Sequence, residues 1–237
     1  MKEKNEKKKR TIRIVLPIIL VLLILTGAAL YMILVPHSMS LFGIERISSP
    51  VDYNGNGQDD YTDFVLGAWE DANNHPTYDA RYWDTGYPPD DIGVCSDVCW
   101  RAFRAAGYAL RDMIDRDIAE RPEAYPHITK PDSNIDFRRC VNLKIFFDEY
   151  AIPLTLDPKD LAAWQPGDLV IFGDANGKAT HFGLISDKRS CFGIAFLIHN
   201  GGQPLREENA LERFTIIGHY RFDASRVPED VLIPWED

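Results

Sequence analysis

The first apolar block of the chain is a run of 22 residues, 14–35, without a single charge. Wound as a helix it reaches about 33 Å, enough to cross a hydrocarbon core of about 30 Å. Residues 1–13, MKEKNEKKKRTIR, hold seven Lys/Arg and two Glu. A basic flank stays in the cytoplasm, so the pattern predicts one transmembrane helix with the rest of the chain outside. A cleaved signal peptide is the alternative. Its apolar stretch is usually about 7–15 residues, whereas this one continues past Gly27-Ala28-Ala29 through Leu30, Ile33 and Leu34.

Beyond the anchor, residues 36–51 read as a linker and 52–63 as a polar loop. Apolar spacing predicts helices over 64–72, 96–106, 110–120 and 141–150. The second offers Ala102, Phe103 and Ala106 to a buried face, with Gly107 as its stop; the fourth offers Leu143, Phe146 and Phe147. Residues 73–93 and 122–136, rich in Pro, Gly and Asp, read as irregular. Short apolar runs then predict strands at 169–172, 181–186, 194–199 and 216–222, followed by a tail over 223–237. Helices first and strands later, with hairpin-length connections, predict an α+β fold with an antiparallel sheet.

Charge narrows the range of partners. The 237 residues sum to −10, and outside the basic flank 19 basic face 34 acidic residues, a net −15. Nucleic acid is therefore not an expected partner, because phosphate binding needs clustered Lys/Arg. The four cysteines, Cys95, Cys99, Cys140 and Cys191, are an even count that permits two disulfides in an exported domain. Their pairing stays open.

A cysteine nucleophile must be a thiolate, and an ordinary thiol with pKa near 8.5 is mostly protonated at neutral pH. A helix N-terminus and a nearby imidazolium both favour the ionised form. Cys95 has that setting. A Pro/Gly loop precedes it, Ser96 and Asp97 follow, and a helix is predicted from residue 96. Cys99, one turn on, reads as a small buried hydrophobe. Of six histidines, His181 opens one predicted strand and His199 closes the next. In an antiparallel hairpin those two positions come together.

At these residues the sequence resembles the NlpC-type cell-wall cysteine peptidases, a bacterial branch of the papain-like clan. It resembles more closely a bacterial exported family of unknown function in that clan. The motifs shared with that family read here GVCSD (93–97), PDSNIDFRR (131–139), QPGD (165–168), HFG (181–183), IHN (198–200) and GHYR (218–221). The match runs over residues 61–222. The resemblance implies a papain-like fold, with Cys95 as nucleophile, His181 as general base and acid, and His199 as the orienting third member. It implies acyl transfer at an amide without a catalytic cofactor, with cell-wall peptides as the substrate outside the membrane. NlpC-type enzymes usually carry Asp-Cys-Ser-Gly at the nucleophile; here Val94 precedes Cys95 and Asp97 follows Ser96. Candidate substrate-binding residues are Asp97, Asp132, Asn134, Arg138, Arg139 and Asn200, with Asp136 beside them. A salt-bridged loop explains the charged set equally well. Tyr78 or Tyr82 would add a hydroxyl donor. The competing reading is a non-catalytic module that binds cell-wall peptides on the same fold.

The loop DYNGNGQDDYTD has the oxygen spacing of an EF-hand. Asp52, Asn54 and Asn56 take positions 1, 3 and 5, Gly57 position 6, Gln58 position 7, Asp60 position 9 and Asp63 position 12. A weak structural Ca²⁺ site is expected there; a solvated Asn-Gly turn is the alternative.

Overall fold

The computed structural model describes residues 2–236, with side chains from residue 15 onward. The charged side chains of the basic flank lie outside the described ones. Helix α1, Lys2–Leu34, includes an apolar stretch, Val15–Leu34, with mean hydropathy 2.6 and no burial against the protein. That is long and apolar enough to cross a membrane, and a signal sequence has the same character.

The rest is α+β. Helices α2 (Asp60–Asn74), α3 (Cys95–Ala105), α4 (Leu110–Glu120) and α5 (Cys140–Tyr150) come before most of the sheet. The strands are β1 (His37–Ser38), β2 (Thr77–Tyr78), β3 (Ile92–Gly93), β4 (Ile152–Pro153), β5 (Leu169–Gly173), β6 (Ala179–Arg189), β7 (Ala195–Ile198), β8 (Glu207–Glu208) and β9 (Thr215–Arg221). Seven form one antiparallel sheet in the order β4-β9-β5-β6-β7-β8, with β1 also paired to β6. Strands β2 and β3 make a separate parallel pair, just before α3.

The apolar run LVIF of β5 is buried on both faces, which is why it does not alternate with polar residues. Leu169 and Ile171 join the helices in the main core with Phe64, Phe103, Phe147, Phe182 and Phe222. Val170 and Phe172 join a second cluster with Trp164, Ile185, Leu197 and Leu211. Phe64 of α2 stacks on Phe103 of α3 with centroids 4.7 Å apart. Gly67 permits that approach: a Cβ there would lie 2.5 Å from Cβ of Ala105 and 2.9 Å from the carbonyl of Arg101.

Residues 36–51 are not a free linker. Strand β1 pairs with the far end of β6, and Met39, Ile44 and Ser49 are buried. The Ile47 N–H donates to Oε1 of Gln165, whose amide donates to the carbonyl of Glu45. The segment docks through these hydrogen bonds as well as through Met39 and Ile44, whose spacing matches neither a helix nor a strand period.

Candidate active site

Cys95 is the first residue of α3, with its sulfur turned towards β6. The first N–H groups of a helix have no intrahelical acceptor, so this end is electropositive. Asp97, third in the helix, accepts the N–H of Val94 at 2.7 Å and caps the turn that presents Cys95. Asn200, just past β7, holds the same turn from the other side. Its amide donates to the carbonyls of Gly93 at 3.0 Å and Pro76 at 3.4 Å.

The histidines meet as the hairpin geometry demands. Leu184 pairs with Ile198, which puts His181 and His199 on one face of neighbouring strands, diagonally offset. Nε2 of His181 lies 2.8 Å from Nδ1 of His199. Nε2 of His199 lies 3.2 Å from Oε1 of Glu208 on β8. Burial, with the charges of His181, Arg213 and Arg206, lowers the pKa of His199 to about 3, so this imidazole is neutral. A neutral ring has one N–H. With Nε2–H of His199 donating to Glu208, Nδ1 accepts from His181 Nε2–H, and the Gln203 amide, 3.1 Å from the same Nε2, donates to the His199 carbonyl instead. The contact to Glu208 is then a hydrogen bond rather than an ion pair. It leaves Nδ1 of His181 for Cys95.

The Cys95 thiol is held well below the ordinary thiol range. The largest cause is the hydrogen bond from Cys140, followed, against the opposing effect of burial, by the hydrogen bond and charge of His181 and the N–H of Phe182. Cys140 moves the other way, its proton held by Cys95 and by burial. Their sulfurs are 3.7 Å apart, within hydrogen-bond reach. The downward shift falls on Cys95 because His181 and the Phe182 N–H favour its ionised form. Cys99 is fully buried and its thiol is pushed up, as a packing residue requires. All four cysteines are free.

Cys95 and Cys140 line one cavity of about 470 Å³ together with Tyr78, Arg138, Arg139 and Lys178. Arg139 and Lys178 are exposed. The phenol of Tyr78 is shifted upward, first by burial and then by the two sulfurs, which places it beside them. Tyr82 instead reaches Asp132 at 3.2 Å.

The remaining charged candidates are mostly engaged with one another. Arg138 makes a bidentate pair with Asp97, 2.7 and 2.8 Å, with both side chains buried. Asp132 accepts the N–H of Asn134, whose amide donates to the carbonyl of Asp84. Arg139 stands 3.5 Å from Asp136, which also accepts the N–H of Asp132. The PDSNIDFRR segment thus works as a clamp between α3 and α5, and Ser96 Oγ donates to the Arg138 carbonyl at 2.7 Å to close it. QPGD and GHYR form a second clamp away from the cavity. Asp168 accepts two bonds from Arg221 at 2.8 Å and one from His219 at 3.1 Å, and His219 stacks on Trp164 at 3.7 Å.

The family described as Domain of unknown function (DUF1287) matches residues 65–222. The chain belongs to the DUF1287 family. Its DUF1287 domain contains Cys95, Cys140, His181, His199 and Glu208, so the whole constellation lies inside the family span. The Uncharacterized protein YijF of Escherichia coli (strain K12) is 37% identical over 154 residues, covering 61% of this chain and 73% of that protein. No solved structure matches.

The twelve-residue loop precedes the DUF1287 span. Asp52 accepts the N–H groups of Asn56 and Gly57, at 3.1 and 2.8 Å. The amides of Asn54 and Asn56 donate to Asp63. Asp60 turns inward to Tyr108 Oη at 2.6 Å and Tyr53 N–H at 2.9 Å, while the backbone N–H of Gln58 donates to Asn56. Among the described residues, no group of three or more His, Cys, Asp or Glu side chains is placed to hold a metal ion. Glu208 and the Cys140 contact had no signature in the sequence. Glu208 lies in a two-residue strand, and Cys140 is 45 residues from Cys95.

Proposed function

We propose that this protein is a membrane-anchored, extracytoplasmic cysteine hydrolase that cuts amide bonds of cell-wall peptides, on a papain-like scaffold of the NlpC type. The observation that carries the reading is the His181–His199–Glu208 relay beside a Cys95 sulfur that stands at a helix N-terminus and opens on a cavity.

In this reading the Cys95 thiolate attacks the amide carbonyl, and the backbone N–H of Cys95 with a neighbouring donor stabilises the oxyanion. His181 gives its proton to the leaving amine as the C–N bond breaks, leaving a thioester on Cys95. The neutral His181 then takes a proton from water, the hydroxide adds to the thioester, and the acid departs as the thiolate–imidazolium pair is restored. His199 holds the His181 ring in place throughout and is itself held by Glu208. The basic N-terminus supports the orientation, with the catalytic domain on the far side of the membrane.

The test is mass spectrometry of purified peptidoglycan incubated with the reduced full-length chain in detergent, beside its Cys95→Ala variant. New muropeptides from the wild type alone are expected, and their masses identify the bond. Identical products from both chains, or none from either while Cys95 is reduced and unmodified, would favour the binding-module reading. His181→Ala is expected to lower turnover by about 10²–10⁴-fold.

A further inference from the structure

Cys140 is a nucleophilic group that the hydrolytic steps above do not consume. It is the first residue of α5, as Cys95 is of α3, and the two sulfurs stand 3.7 Å apart. The neighbourhood is built to keep them so. The Asp97–Arg138 pair and the Ser96–Arg138 bond tie the segment just before Cys140 to the first turn of α3. A disulfide needs about 2.0 Å between sulfurs, so an approach of about 1.7 Å would close it. Cys140 sits at a helix end after a 3₁₀ turn, Asp136–Arg138, where such an adjustment leaves the body of α5 in register. Both residues line the same cavity, which gives a dissolved reagent access to the pair. Cys99 is fully buried, and Cys191 is not among the residues lining that cavity.

We propose that Cys95 and Cys140 form a reversible disulfide, made by exchange with the disulfide of an external thiol compound, which takes the nucleophile out of reaction. The Cys95 thiolate attacks the external disulfide, forming a mixed disulfide and expelling one thiolate. Cys140 then attacks the Cys95 sulfur, gives its proton to the departing second thiolate, and closes the internal bond. Two thiols of the protein are oxidised and one external disulfide is reduced to two thiols. A dithiol reductant runs the sequence backwards. The bond itself rests on the sulfur geometry, and its role as an off-state rests on the hydrolase reading. Outside the cytoplasm, where exposed thiols are oxidised, the internal bond shields Cys95 from permanent capping or over-oxidation.

The experiment equilibrates the full-length chain in detergent with mixtures of oxidised and reduced glutathione, traps free thiols by alkylation, and maps the unreduced digest by mass. A Cys99→Ser, Cys191→Ser background removes competing thiols. The expected result is one crosslink joining the peptides of Cys95 and Cys140, lighter by two hydrogens, with Cys95 alkylation lost and recovered on adding dithiothreitol. In the Cys140→Ser variant Cys95 should instead hold glutathione as a stable mixed disulfide. Glutathione retained on Cys95 with Cys140 still alkylatable in the parent chain would overturn the proposal. The readout is mass, not turnover. Muropeptide release by the reduced chain without any crosslink would therefore sink the disulfide alone, and a crosslink in a chain that releases nothing would sink the hydrolase and the off-state role while leaving the bond.

Discussion

The Cys95 sulfur, 3.7 Å from that of Cys140 and shifted down in pKa, behaves unlike its neighbours along the chain. At pH ~6 an ordinary thiol is only about 0.3% ionised. Cys95 is shifted down by Cys140, His181 and Phe182, while Cys140 and Cys99 are shifted up. The sign is therefore opposite for the two groups: Cys95 stays reactive as pH falls below the usual thiol range, and the others lose reactivity. Brief iodoacetamide treatment of the reduced chain near pH ~6 should label Cys95 ahead of Cys99 and Cys140, as read by peptide mass mapping. Equal labelling of all three would remove the case for an activated nucleophile. The positions of Cys95 and the two histidines were legible because Cys95 opens α3, His199 directly follows β7 and His181 lies near the start of β6, close to element ends where local sequence carries most information. Glu208 was not, because its position depends on the pairing of Leu197 with Glu208 across a loop.

At the scale of elements, helix limits were readable and the shortest strands were not. The predicted helix over 110–120 coincides with α4, and the other three differ from the observed ranges by a few residues. Strands β1, β2, β3, β4 and β8 are two residues each and have no period to detect. Strand β6 runs on to Arg189, past its predicted limit at residue 186, where β1 pairs with Lys188 and Arg189, and Ala195 of β7 pairs with Arg189. The clamp motif illustrates the same limit. PDSNIDFRR fits a substrate-binding loop and a structural clamp equally well in sequence, and only the buried Arg138–Asp97 geometry separates the two for that pair. Arg138→Met leaves Asp97 buried without its counter-charge, at an expected cost of about 3–5 kcal/mol. Urea denaturation of the variant measures this. A loss below ~1 kcal/mol would mean that the pair is not what joins α3 to α5.

For the whole molecule, the decisive relation is between the apolar helix and the domain. The chain should remain with membranes through high-salt and alkaline washes and be released by detergent, with an intact N-terminus by mass. Recovery of a soluble form beginning after Ala29 would identify α1 as a cleaved signal. Only Val35 and Pro36 separate α1 from β1, and β1 is already a strand of the main sheet. Two extended residues reach at most about 7 Å. If α1 crosses a bilayer, the β1 edge of the domain is therefore held close to the lipid, and the domain cannot move outward to meet a distant strand. Its encounters become a search within a plane, so a peptide's distance from the bilayer, as much as its chemistry, decides whether it is met at all.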